Sequence, residues 1–193
     1  RDMLATDGDV RRLEAEASLS VVQGVSDMPA DAVVKQSRGA IAVISSWGSP
    51  DYTADILDEC PDLRVFARIG GSVKNVIDLS AWDREIRVVS SVDAQGFLVA
   101  DLTLSLMLAG LHRLPFYVRQ QWGGGSLDRA IDPERVPQRS LIRKQVGLLG
   151  FGAIARHVAR LLQPFLCRVR ACDPYVPDET FQSFGVERVR GVN

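Results

Sequence analysis

The chain has 193 residues, of which 46% are hydrophobic and 24% charged, the proportions of a globular protein with a substantial core. Its net charge is −1 and its pI about 6.2, so no basic excess exists to neutralise phosphates, and neither nucleic acid nor an anionic membrane surface is an expected partner. Cys60, Cys167 and Cys172 are odd in number and too widely spaced for a metal site, which predicts free thiols in a reducing cytoplasm and no bound metal.

Residues 1–10 contain three aspartates and no apolar core, so no secretory signal is expected there. Short β-branched runs at 19–22, 41–44, 63–69 and 87–91 alternate with helically spaced segments such as 10–17 and 53–59. That alternation predicts βα units around a parallel sheet. Gly70, Gly71 and Ser72 directly follow the third run, at the carboxyl end where open α/β sheets carry their ligand sites. A long helix is predicted over 97–121. Its apolar residues (Leu98, Val99, Leu102, Leu104, Leu106, Met107, Leu108, Leu111) surround almost the whole circumference, which predicts burial between two domains or two subunits. Asp101, Thr103 and Ser105 near its start and His112 and Arg113 near its end leave an apolar stretch short of the roughly 20 residues a bilayer needs, so no membrane span is expected. Glycines 123–125 break the helix, and the stretch to residue 138 reads as an irregular connection.

The segment 145–174 is the most informative. Residues 146–149 read as a buried strand, running into Gly150-Phe151-Gly152-Ala153-Ile154-Ala155, which opens a helix stopped by Pro164. Residues 168–172 form the next strand, ending at Asp173. A strand, a G-x-G-x-x-[GA] turn, a helix and a second strand ending in an acid together make a dinucleotide-binding pattern. Gly150 permits the tight turn, Gly152 lets a pyrophosphate approach the backbone, and Ala155 lets helix and strand pack closely. The N–H groups around Ala153 and Ile154 would face the phosphates. A carboxylate at Asp173 accepts hydrogen bonds from ribose hydroxyls and repels a 2′-phosphate, and residues 174–177 contain no arginine, which favours NAD over NADP. The same geometry is open to two other readings: a tight turn that binds nothing, and a methyltransferase-like nucleotide site.

With these motifs the sequence resembles the D-isomer-specific 2-hydroxyacid dehydrogenase family, through 146–177, through 63–78 with Gly70-Gly71-Ser72-Val73, and through 99–103. The resemblance implies an α/β fold with a flavodoxin-like substrate domain at 1–96, followed by an incomplete Rossmann dinucleotide-binding domain at 97–193. It implies substrate binding by Gly70, Gly71, Ser72 and Val73. It implies cofactor binding by Thr103, Gly150, Phe151, Gly152, Ala153, Ile154, Asp173 and Pro174, with NAD as cofactor and a small 2-hydroxy or 2-keto acid as substrate. A homodimer is implied by the family and by the apolar helix. The sequence departs from the family at Ala153, where many members have arginine, at Gln95 and Asp101, and in the loop Gly-Gly-Ser-Val-Lys-Asn.

Hydride transfer from a 2-hydroxy acid needs a base for the hydroxyl proton and a cation for the carboxylate. In the family these are a histidine paired with a glutamate, and an arginine, all in motifs beyond the second cofactor strand. None of these motifs occurs by Asn193, and His112 and His157 read as surface or packing residues. The catalytic residues are therefore unknown, and the chain alone is expected to be inactive. The alternative to a dehydrogenase is a non-catalytic NAD-binding interaction protein of the corepressor kind.

Overall fold

The computed structural model describes residues 7–22, 28–124 and 139–191. They form two compact units that divide between Val92 and Asp93, each built on a three-stranded, all-parallel sheet. The expected α/β class holds for both. Most of the irregular connection expected after the glycine run lies outside the described residues.

In the first unit, helices α1 (Asp7–Glu14) and α2 (Ala30–Ser37) precede β1 (Ala42–Ser45), α3 (Ala54–Asp58), β2 (Val65–Arg68), α4 (Ser80–Asp83) and β3 (Arg87–Ser90). The strands pair in the order β1-β2-β3 and bring Val43, Phe66 and Val88 into register. Because strand side chains alternate between faces, this row turns into a core of Val33, Ile56, Leu57, Leu63 and Ile86. The opposite row leaves Ile44 and Val89 exposed, so only one face of this parallel sheet is covered. Residues 19–22, expected as a strand, are irregular, and Val21 and Val22 are exposed. Among the described residues β1, β2 and β3 pair only with one another, and β-branched residues without a neighbouring strand have no ladder to join.

One polar contact is sealed inside this core. The hydroxyls of Ser37 and Tyr52 lie 2.7 Å apart, and the Tyr52 ring meets Phe66 edge-on at 5.1 Å. Burial pushes the Tyr52 phenol above its ordinary pKa, so it stays neutral and able to donate.

The second unit takes in most of α5 (Val92–Leu111), followed by α6 (Leu114–Trp122), β4 (Gln145–Leu149), α7 (Ala153–Leu162), a 3₁₀ turn (Gln163–Phe165), β5 (Arg168–Cys172), α8 (Asp178–Ser183) and β6 (Glu187–Arg188), with strand order β4-β5-β6. Val146, Val169 and Ala171 face a core filled by Val158, Ala159 and Leu162 of α7 and by Phe151 and Phe181. Pro164 ends α7 as expected, inside the 3₁₀ turn.

The long helix departs from expectation in its continuity. It is two helices, because Pro115 lacks an N–H and its ring would clash with the carbonyl of Leu111; the chain turns instead through Arg113 at φ +54°. Among the described residues part of its circumference is uncovered. Gly96 and Ala100 are buried and Leu104, Met107, Leu108 and Leu111 pack partly on the core, but Leu98 (72% exposed), Leu102 and Leu106 (63%) form a separate stripe at i, i+4 and i+8 facing outward. By length and composition α5 could cross a membrane. Its start is locked to α7: the Phe97 and His157 rings lie 3.8 Å apart, and a Cβ at Gly96 would come within 2.9 Å of the His157 ring.

Replacing Tyr52 with phenylalanine strands the Ser37 hydroxyl in the core. A loss of about 1–3 kcal/mol is expected in urea unfolding; a change of a few tenths would mean that Ser37 finds another partner.

Candidate functional site

Both sheets end in glycine turns at their carboxyl edges. In the second unit β4 runs into Gly150 at φ +86°, a conformation that side chains disfavour, and Gly152 occupies the N-cap of α7 without a capping side chain. A Cβ at Gly150 or Gly152 would meet nothing within 4 Å, so the turn is open on its outer side. The first N–H groups of α7, at Ala153 and Ile154, lie at this open end with the positive end of the helix dipole.

Asp173, at the end of β5, closes the turn from beside it. Its Oδ2 accepts the Phe151 N–H at 2.7 Å, and its Oδ1 accepts the N–H groups of Tyr175 at 2.9 Å and Val176 at 3.2 Å. These bonds, the one from Phe151 first, hold the carboxyl below the ordinary range, with Arg188 adding to the effect. Among the described residues Oδ2 accepts from the Phe151 N–H alone and keeps a lone pair for another donor. The Phe151 ring points the other way: it is fully buried, stacked on Phe181 at 4.6 Å and edge-on to Phe184 at 5.7 Å. Phe151 thus serves the turn through its N–H and the core through its side chain. Pro174 is exposed beside Asp173, while the Thr103 hydroxyl on α5 donates to the Val99 carbonyl at 2.7 Å.

Sequence reasoning missed two cations here. Arg188 and Arg190 line an open cavity of about 350 Å³ together with Cys172, Asp173 and Pro174. Arg188 donates to the Asp173 carbonyl at 3.0 Å and to the Asp178 carboxylate. Only the β5–β6 pairing brings residue 188 next to 173; the four residues after Asp173 hold no such signal.

In the first unit Gly70 (φ +114°) and Gly71 (φ +44°) turn the chain out of β2. The Gly70 N–H donates to the Ser91 hydroxyl at 3.2 Å, and the Ser90 hydroxyl donates to the Gly71 carbonyl at 3.0 Å. The far end is pinned by Tyr52, whose N–H donates to the Val76 carbonyl and whose carbonyl accepts the Asp78 N–H, both at 2.8 Å. Between these anchors the N–H groups of Ser72 and Val73 meet no acceptor among the described residues, a pair of donors suited to a carboxylate. His157 is occupied by the Phe97 and Gly96 contacts, and His112 closes α5 with its N–H on the Leu108 carbonyl. Among the described residues no three His, Cys, Asp or Glu side chains are grouped to hold a metal.

Residues 104–192 match the family model described as "D-isomer specific 2-hydroxyacid dehydrogenase, NAD binding domain". A D-3-phosphoglycerate dehydrogenase of Methanocaldococcus jannaschii is 28% identical over 188 residues, covering 95% of this chain and 33% of its own, and that of Homo sapiens is 30% identical over 182 residues, covering 93% and 32%. A solved Thermus thermophilus structure superposes with a TM-score of 0.74 at 26% identity, covering 97% of this chain and 57% of its own. The chain therefore spans about a third of the curated relatives and about half of the solved one.

Asp173 has a folded pKa below its unfolded one, so its contribution to stability is present above about pH 4 and is lost as pH falls through the depressed value. Asp173→Asn is expected to be less stable than the parent at neutral pH, with the two unfolding curves converging below pH 4. A gap that is constant down to pH 2 would show that the charge of Asp173 is not what holds the turn.

Proposed function

Because this chain belongs to the D-isomer specific 2-hydroxyacid dehydrogenase family, we propose that it binds NAD(H) on the turn at 150–155 and a 2-hydroxy or 2-keto acid on the loop at 70–73, as part of an oxidoreductase that moves hydride between them. The Asp173 arrangement carries this reading: a carboxylate held ionised by three backbone N–H groups, with a lone pair to spare, beside an open glycine turn. Those residues fit a dinucleotide. The Ala153 and Ile154 N–H groups would take the pyrophosphate, Asp173 Oδ2 a ribose hydroxyl, and Pro174 the adenine edge, with Thr103 contributing from α5. NAD, when bound, supplies the hydride acceptor. Gly150 and Gly152 keep its approach clear, and Phe151 anchors the turn to the core. On the 70–73 loop, the Ser72 and Val73 N–H groups would hold the substrate carboxylate while Gly70 and Gly71 maintain the loop's shape.

We assign proton transfer to no residue of this chain. His157 is committed to packing and His112 ends a helix, so these 193 residues alone are expected to bind cofactor without turning over. The stripe Leu98, Leu102 and Leu106 supports a homodimer through α5, and the free thiols Cys60, Cys167 and Cys172 fit a reducing cytoplasm.

In an NADH titration followed by calorimetry, Asp173→Ala is expected to weaken binding about tenfold, the equivalent of one charge-assisted hydrogen bond, and to narrow the preference over NADPH. Pyruvate added to the parent chain should consume no NADH. Unchanged affinities for both cofactors in the variant would refute the ribose assignment. For the dimer, sedimentation of Leu102→Glu/Leu106→Glu should give a monomer where the parent gives a dimer; equal masses would remove α5 as the interface.

A further inference from the structure

Trp47, on the loop after β1, touches the backbone of the 70–73 loop. A Cβ at position 70 would lie 2.9 Å from its Cε2 and 3.0 Å from its Cζ2, so the indole lies where only a glycine leaves room. The Trp47 loop is itself held: the Ser46 N–H donates to the Ser49 hydroxyl at 2.8 Å, and Arg68 donates to the Ser46 carbonyl. Trp47 nevertheless remains 60% exposed, at the carboxyl edge where an α/β sheet takes its ligand. An indole fixed at its backbone, packed on one side against Gly70 and open on the other, is a wall awaiting an apolar neighbour.

The charges around it are equally particular. Residues 46–50 and 70–73 include no ionisable side chain. Arg68 is engaged with Ser46 and Ser45, and Lys74, the first cation after the loop, is exposed. A ligand whose carboxylate sits on Ser72 and Val73 would therefore set its remaining substituent against the indole. A planar apolar group gains contact there, whereas a second anion set against the indole would lose hydration while Arg68 points its guanidinium at the Ser45 and Ser46 oxygens.

We propose that Trp47 is a specificity-determining residue, and that its indole selects acids bearing an aromatic or other planar apolar substituent over acids bearing a phosphate. This rests on reading 70–73 as the carboxylate loop. The test uses the full ¹⁵N-labelled chain, titrated with phenylpyruvate and with 3-phosphohydroxypyruvate and followed by the Ser72 and Val73 amide signals and the Trp47 indole N–H. Phenylpyruvate is expected to shift all three and to bind at least about tenfold more tightly. Trp47→Ala should abolish that ratio, and Trp47→Phe, which keeps an aromatic ring, should retain most of it. A ratio that favours the phosphorylated acid, or that survives in Trp47→Ala, overturns the proposal while leaving the carboxylate loop standing. If neither acid moves the Ser72 and Val73 amides, the carboxylate loop itself fails, and the role of Trp47 fails with it.

Discussion

The glycine turn of the second unit depends on one carboxylate that bonds both sides of it. Asp173 takes N–H groups from two directions, one from the glycine turn before α7 and two from the link that follows β5. Beside it the Gly150 N–H donates to the Cys172 carbonyl at 2.8 Å, so β5 fixes the start of the turn and the Asp173 carboxylate fixes its next residue. Beneath the same turn Phe151 drops into the core and stacks on Phe181. The turn is thus fastened by polar bonds at its side and by apolar contact below, which leaves its upper side empty. Preorganisation of this kind lets a ligand bind without first ordering the loop that receives it.

The first unit reaches the same end by other means. Among the described residues, Ser90 and Ser91 fasten the start of its loop and the Tyr52 backbone fastens the finish. Tyr52 is the more consequential anchor, since its side chain also forms the buried pair with Ser37 and the edge contact with Phe66. The middle of that loop is therefore tied, through one residue, to the core packing of its unit.

What could be read in advance was whatever the sequence states locally. The strand at Arg168–Cys172, the helix opening at Ala153 and the acid at 173 follow from glycine spacing and β-branched runs within about thirty residues. Pro115 is equally local, but the apolar pattern continues across it, and a hydrophobic period does not register a missing N–H. The exposure of α5 was unreadable for a different reason: an all-apolar helix states that it needs cover, and not what supplies it. Trp47, Arg188 and Arg190 were missed because strand pairing and loop closure bring them to their sites from outside any motif.

Gly96 carries a last lesson about mutational tolerance. On an exposed helix, changing glycine to alanine is a gain of about 1 kcal/mol from backbone propensity. Here the added methyl would press on the His157 ring, which is wedged against Phe97 and belongs to the second turn of α7. Drift at position 96 is thus constrained by a ring sixty-one residues away in the sequence, and a substitution scored by helix propensity alone would be ranked with the wrong sign.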